Sequence, residues 1–199
     1  MAQRRMSKGA QTRARVLDAV VAAVARDGIA QLSVAGIGNE VGMSSGHVLY
    51  HFHTKDALFV EALRHVEASL IADREALHDA SLSADERLQR YVALYLPTDR
   101  SDARWSLWVQ VWGTSVTDAE LRSAQLDLDA AWQLDLARVV ADGVADGTFA
   151  PASVEVAVEA IAGLLDGIAI RVMTGDEVSS DRGVEVAVLG ARALLGARS

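Results

Sequence analysis

The chain has 199 residues, of which 51% are hydrophobic and 23% charged, so it can form a substantial core and is not a disordered protein. It contains no cysteine, which excludes disulfides, thiolate metal sites and cysteine nucleophiles. Only two prolines occur, while alanine, leucine and valine dominate, which predicts an all-α protein with long helices.

The net charge of -8 is unevenly distributed along the chain. Residues 1–65 contain eight Lys or Arg residues against five acidic residues, a balance of +3, so the remainder carries -11. A basic head on an acidic body favours a head that faces phosphates, although terminal arginines can also simply keep a chain soluble. No secretory pattern and no apolar run long enough for a membrane helix occurs, which predicts a soluble cytoplasmic protein without a membrane partner.

The first predicted helix covers residues 11–26, where Val16, Val20 and Val24 recur at helical spacing, and Asp27-Gly28 ends it. Five basic residues and no acidic residue occur in residues 1–15. Such an arm is typical of a segment that follows a DNA groove, and also of a disordered terminus.

Two short helices follow. Ser33 is a candidate N-cap for a helix over residues 34–41, Gly42 ends that helix, and Ser44 caps a second helix over residues 45–52. Two short helices joined by a glycine-containing turn, with the second helix polar and exposed, predict a helix-turn-helix. The residues of the second helix that face outward are Ser45, Gly46, His47, Tyr50 and His51.

Thr54 then caps a long helix that is predicted to run unbroken toward Leu77, over about 24 residues. The apolar spacing beyond it predicts five more helices, which gives about nine in all. They cover residues 84–96, 102–115, 118–145, 154–173 and 183–195.

Three strings in the head carry a family resemblance: SVAGI at 33–37, VGMSSG at 41–46 and YHFHTKDAL at 50–58. With this spacing the head resembles the TetR family of bacterial transcriptional regulators. The resemblance implies an N-terminal arm and three-helix DNA-binding domain over residues 1–54. It also implies a six-helix body over residues 55–199 that binds an effector and dimerises.

The body is similar to the branch of that family typified by regulators of betaine synthesis and pyrimidine use. The similarity is carried by WSLW at 105–108 with Trp112, by GTF at 147–149 and by LDG at 165–167. The head departs from the family pattern in two places. Leu49 stands where many members have an aromatic residue, and His53 stands where proline is common.

The resemblance implies that the second short helix enters the major groove, where base edges are distinguishable. Hydroxyls at helix N-termini and Lys55 are expected to hold phosphates. His47 is the expected base-edge or phosphate contact, with a solvent-facing histidine as the alternative. The predicted DNA-binding residues are Ser33, Ser44, Ser45, Gly46, His47, Tyr50, His51, Thr54 and Lys55.

The resemblance also implies an effector cavity and a four-helix dimer interface in the body. An aromatic stripe is often simply core, so the cavity residues are candidates. The predicted ligand-binding residues are Tyr91, Tyr95, Trp108, Trp112, Trp132, Asp166 and Met173. The predicted dimer contacts are Val158, Ile161, Leu165, Ile168, Val188, Leu189 and Leu195.

The sequence is thus interpreted as a homodimeric repressor that a small-molecule effector releases from a palindromic operator, with no cofactor and no catalytic residue. No nucleophile elbow, phosphate loop or HExxH motif occurs. One alternative is a helical small-molecule-binding protein or enzyme with an incidental helix-turn-helix. Another is a metal or pH sensor that uses His47, His51 and His53, although no carboxylate lies at ligand spacing and no metal site is predicted.

Overall fold

The computed structural model describes residues 8–175 and 178–197. Within them the chain forms α-helices, one short 3-10 turn at Ile29–Gln31 and no strand, which confirms the all-α prediction. Most of the predicted N-terminal arm lies outside the described residues. None of the described helices is both long and apolar enough to cross a membrane. The α-helices are α1 (Lys8–Asp27), α2 (Val34–Val41), α3 (Ser45–Phe52), α4 (Lys55–Ser69), α5 (Ile71–Ala76), α6 (Ala84–Tyr95), α7 (Ala103–Ser115), α8 (Ala119–Ala145), α9 (Val154–Thr174) and α10 (Ser180–Leu194).

The prediction of one unbroken helix from Thr54 toward Leu77 is wrong, because the helix is interrupted at Leu70. The Ser69 hydroxyl donates a hydrogen bond of 2.6 Å to the Val66 carbonyl. Such a side-chain bond competes with the backbone bonds that would continue the helix. The interruption produces two helices, α4 and α5, where the sequence pattern indicated one.

The first of two compact units comprises the described residues up to Ser69 together with Ala103–Gln125. In this unit α1 packs against α2, α4 and α7, and α4 packs against α3 and α7. Val16, Leu58 and Leu107 are fully buried between these helices. The helix α1 therefore supports α2, the helix α4 supports α3, and α7 packs against both of these longer helices.

The second unit comprises Leu70–Asp102 and the described residues from Leu126 onward. Here α6 and α9 pack against α10, and α5 packs against α6. Leu88, Ile161 and Leu165 are fully buried in this unit. The C-terminal part of α8 also belongs to it.

The GTF string at 147–149 ends α8 and closes part of this core. Gly147 has a φ of 81°, which favours glycine, and the Phe149 amide then donates 2.9 Å back to the Gly143 carbonyl. The buried Phe149 ring covers Gly143 so closely that an added Cβ would lie 2.1 Å from it. The string therefore has a structural role in the fold.

Candidate functional site

Three hydroxyl caps start the helices of the head. Ser33, Ser44 and Thr54 each accept a hydrogen bond from the backbone amide three residues later, at 3.0, 3.2 and 3.0 Å. Each cap satisfies an amide that the helix itself leaves free. A hydroxyl that accepts such a bond keeps its own hydrogen for an outside acceptor, such as a phosphate oxygen.

The turn between α2 and α3 is a Schellman motif. Gly42 is in the left-handed region, with φ 70° and ψ 36°. The Met43 amide donates 2.7 Å to the Gly38 carbonyl, and the Gly42 amide donates 3.3 Å to the Asn39 carbonyl. These bonds set the angle at which α3 leaves α2.

The outward face of α3 carries a row of rings. Tyr50 is 77% exposed, His47 is also exposed, and His51 is half-buried. The His47 and His51 rings stack with centroids 5.3 Å apart, and Tyr50 meets His51 edge-on at 5.6 Å. Of the other predicted contacts on this helix, Gly46 is exposed and Ser45 is half-buried.

Two arginines of α1 hold the ends of α2 and α3, a role that the sequence pattern did not predict. The Arg13 guanidinium donates to the His51 carbonyl and, at 2.9 Å, to the Glu61 carboxylate. It also lies 4.5 Å from the centre of the Phe52 ring. Arg15 donates 2.7 Å to the carbonyl at the end of α2. The sequence signal for this role is that two arginines occur two residues apart on α1, the helix that precedes α2 and α3.

Much of the positive charge of the head is therefore paired internally. Besides Arg13, Arg26 pairs with Asp27 at 2.8 Å and with Glu40 at 2.5 Å, and Arg64 pairs with an acid on its own helix at 2.7 Å. Lys55 is exposed at the start of α4, with Nζ 5.3 Å from the Phe59 ring centre. The described residues thus offer fewer unpaired cations to a phosphate than the charge count of residues 1–65 indicates.

The corner between α3 and α4 shows what the departure at His53 does. His53 has φ 63° and ψ -55°, and its amide donates 2.6 Å to the Leu49 carbonyl. Among the described non-glycine residues it alone has a positive φ. Proline has φ near -65° and no amide hydrogen, so it could adopt neither feature.

In the second unit, three aromatic residues from α6 and α8 meet. Tyr91 and Tyr95 stack with centroids 5.8 Å apart, and Trp132 lies edge-on to both, at 5.8 and 5.2 Å. The Tyr91 hydroxyl donates 3.2 Å to the Trp132 carbonyl, and the Tyr95 hydroxyl donates 2.6 Å to the Asp166 carboxylate. We name Tyr91, Tyr95, Trp132 and Asp166 the aromatic cluster.

Burial dominates the electrostatics of the aromatic cluster. It raises the pKa of Asp166, and the hydrogen bond from Tyr95 opposes that shift. Burial, then the Asp166 charge, raises the pKa of Tyr95, and burial together with the Asp135 charge raises that of Tyr91. Both phenols therefore remain protonated donors at neutral pH.

A cation, Arg74, lies against this cluster, and the sequence pattern did not identify it. Its guanidinium lies 4.7 Å from the Trp132 ring centre and 2.5 Å from the Asp135 carboxylate. His78 Nε2 lies 3.2 Å from the other Asp135 oxygen. Arg74 and His78 are one helical turn apart in sequence, as are Trp132 and Asp135, and this spacing was the signal available.

The predicted ligand-binding residues divide between the two units. Tyr91, Tyr95, Trp132 and Asp166 come together as described above, while Met173 lies seven residues, or about two helical turns, after Asp166 on α9. Trp108 and Trp112 belong to the first unit, where their ring centroids are 5.7 Å apart. There the Trp108 indole N–H donates 2.8 Å to the buried Glu67 carboxylate.

Most of the predicted dimer contacts pack inside the protomer, so they present little or no surface to a partner. Leu189 is the exception, with 55% of its side chain exposed. The reason is that α9 packs against α10 within one chain and consumes those apolar positions. The buried residues are Val158, Ile161, Leu165, Ile168, Val188 and Leu195.

The histidines of the head do not form part of a larger cluster of potential metal ligands. Across the described ranges, no group of three or more His, Cys, Asp or Glu side chains is arranged to hold a metal ion.

Comparison with known proteins gives two family matches. The family model of the BetI-type transcriptional repressor C-terminal region matches residues 84–196. The model of the TetR family of bacterial regulatory proteins matches residues 16–62. The chain is also 27% identical over 164 residues, or 80% of each chain, to the HTH-type transcriptional regulator BetI of Burkholderia thailandensis.

Two solved structures are similar over most of their length. A transcriptional regulator from Saccharomonospora viridis, solved in complex with choline, is 29% identical, with a TM-score of 0.79 over 89% of this chain and 93% of that chain. A TetR-family regulator from a Rhodococcus species is 23% identical, with a TM-score of 0.75 over 93% of this chain and 98% of that chain, and shares the fold.

These matches confirm both the family resemblance of the head and the betaine-branch resemblance of the body. The family and the relatives are transcriptional regulators and not enzymes. The chain is therefore a transcriptional regulator of the TetR family, with a BetI-type C-terminal region.

Proposed function

We propose that this regulator is a homodimeric repressor that binds a palindromic operator and leaves it when a small-molecule effector binds. The exposed outward face of α3 carries the proposal, because a short, capped, ring-bearing helix suits the major groove. The capping hydroxyls of Ser33, Ser44 and Thr54, with Lys55, are suited to phosphates on either side. The repressor would act in the cytoplasm, where its operator is.

Replacing His47 and Lys55 together by alanine is expected to weaken operator binding by about tenfold or more, since a base contact contributes about 1 to 3 kcal/mol. Loss of Lys55 alone is expected to lower the salt dependence by about one charge without changing sequence preference. Fluorescence anisotropy on DNA from upstream of the chain's own gene measures both. Arg138→Ala, on an exposed residue of α8, is the control that should leave affinity unchanged. Wild-type affinity in the double variant would contradict the proposal.

The dimer proposal rests on the apolar surface that α9 and α10 leave exposed in one chain. Leu189 on α10 and Val156 on α9 are more than half exposed. An isologous contact through these helices would place two copies of α3 in successive major grooves, about 34 Å apart. Sedimentation of the operator complex is expected to give two chains per duplex, and a single chain per duplex would contradict it.

For the effector, we propose a small quaternary ammonium compound of the choline class. A structural relative was solved with choline, and quaternary ammonium groups bind over aromatic faces. In this chain the aromatic cluster supplies three rings and the Asp166 carboxylate in one place.

Asp166→Asn is expected to weaken choline binding by about tenfold, because a close, partly buried charge pair contributes about 1.5 kcal/mol or more. Burial raises the pKa of Asp166, so the carboxylate becomes neutral at a higher pH than an exposed aspartate. Choline affinity of the wild type should therefore fall as the pH drops through that raised pKa, whereas the variant should lose this step. Calorimetric titration across the acidic range measures both, with His78, Asp129 and Asp135 among the other titratable groups nearby. Equal pH profiles would contradict the role of Asp166.

The sensor alternative can be tested with the same anisotropy measurement. The stacked pair His47 and His51 lies on the proposed DNA face. If they formed a metal sensor, zinc or a chelator would change operator affinity. We expect neither to do so.

A further inference from the structure

The Trp132 ring already has a cation on it in the chain's own fold. The Arg74 guanidinium lies 4.7 Å from the ring centre, within the range of a cation–π contact. Arg74 is held there by Asp135, with N–O distances of 2.5 and 2.6 Å, and both side chains are mostly buried. A guanidinium and a quaternary ammonium group favour the same kind of aromatic surface.

The surroundings of Trp132 favour positive charge beyond that of Arg74. The charges of Asp135 and Asp166 both raise the pKa of the Tyr91 phenol, and the charge of Asp129 raises the pKa of Tyr95. Arg74 and His78 both contact Asp135, and His78 is charged only when protonated. Asp166 therefore adds negative charge to the aromatic cluster beyond that of Asp135, which Arg74 already pairs with.

We propose that Arg74 is a resident competitor of the effector: a cationic ligand must displace its guanidinium from the Trp132 face, and this exchange sets ligand affinity and selectivity. The inference rests on the proposed effector class. It adds a specificity-determining residue that does not need to touch the ligand. A ligand without a positive charge could not replace the cation–π contact that the Trp132 ring loses when Arg74 leaves.

Displacement of Arg74 by a ligand can affect the head, because α5, which carries Arg74, directly follows α4 in the chain. Arg74 is on α5, which joins α4 through Leu70 alone, and its contacts with Asp135 and Trp132 tie α5 to α8. The helix α4 packs against α1 and α3. Because a ligand shifts an equilibrium only through differential affinity, a ligand that binds better once Arg74 has left favours the state in which α5 is untied from α8.

The test is calorimetric titration of tetramethylammonium and choline into the full-length chain. Arg74→Met should bind tetramethylammonium about tenfold more tightly than wild type, because the ligand no longer has to displace a cation–π contact. Arg74→Lys should stay near wild type. Arg87→Met is a matched control, since Arg87 also pairs with an α8 aspartate, Asp142, at 2.6 Å, and it should leave affinity unchanged. The uncharged carbon analogue of choline should bind every variant weakly.

A second variant removes the charge left behind on Asp135. Circular dichroism checks that Arg74→Met is folded. If it is not, the double variant Arg74→Met with Asp135→Asn is compared with Asp135→Asn alone, and the double variant should bind tetramethylammonium more tightly.

The outcomes separate this inference from the proposed function. Equal or weaker binding by Arg74→Met than by wild type, or by the double variant than by Asp135→Asn, while wild type binds the cation, overturns the inference and leaves the effector class standing. If no variant binds either cation, both the inference and the effector class fail. Operator binding by the wild type is measured independently of these titrations.

Discussion

Replacing Gly38 by alanine is expected to weaken operator binding by about tenfold or more and to destabilise the first compact unit, by about 1 to 3 kcal/mol as for other overpacked sites. Gly38 is buried in α2, and a Cβ built on it would lie 2.5 Å from the Met43 carbonyl oxygen. That atom belongs to the backbone of the turn, so it cannot rotate aside as a flexible side chain could. The added methyl group must therefore shift the turn that orients α3.

Gly113→Ala is the matched control for this substitution. Gly113 is an exposed glycine of α7 in the same compact unit, and an added Cβ there meets nothing within 4 Å. Alanine should stabilise that helix by about 0.5 to 1 kcal/mol. Fluorescence anisotropy with operator DNA compares the operator affinity of the two variants, and thermal unfolding compares their stability. If Gly38→Ala behaves like Gly113→Ala, the close approach of α2 to the turn is not what orients α3.

Replacing Glu67 by alanine is expected to lower the free energy of unfolding by about 3 to 5 kcal/mol, the usual cost of breaking a buried charge pair. Glu67 on α4 is only 4% exposed. It accepts a 2.8 Å hydrogen bond from the Trp108 indole and lies 3.9 Å from Arg104, itself 8% exposed. Its removal takes the acceptor from the indole and a negative charge from beside the buried Arg104.

Urea unfolding followed by circular dichroism measures this change, with two further variants for comparison. Glu67→Gln keeps an acceptor for Trp108 and loses only the charge, so its destabilisation should be smaller. Glu185→Ala removes an exposed acid that pairs with Arg182 at 2.6 Å, and should change little because solvent screens that pair. If the alanine variants at Glu67 and Glu185 are equally stable, the contact between α4 and α7 does not depend on the buried charge.

The head illustrates how much local sequence can predict. The predicted short helices over residues 34–41 and 45–52 coincide with α2 and α3, and the caps at Ser33, Ser44 and Thr54 are confirmed. A cap joins a hydroxyl to an amide three residues away, so its signal lies wholly within a short string. The DNA contacts assigned to these residues remain predictions.

The ion pairs were not predictable in this way, because a count of charges along the chain does not show which charged side chains contact each other. Arg13 and Glu61 are far apart in sequence but pair at 2.9 Å, and Arg74 and Asp135 pair at 2.5 Å. The first pair removes a cation from the expected phosphate-facing charge. The second brings a cation to the aromatic cluster, where the sequence indicated only rings and a carboxylate.

The sequence by itself determined the all-α class, the helix-turn-helix, its glycine turn and the family of the protein, because these depend on residue types at short fixed spacings. Tertiary structure alone decided that the apolar positions of α9 and α10 are mostly used within one chain, and that Arg74 lies on Trp132. Those outcomes depend on which side chains from distant segments come into contact, and packing between helices settles that, not periodicity within one helix. The helix proposed to contact DNA was thus predictable from its own residues, whereas the cation against the proposed effector site was not.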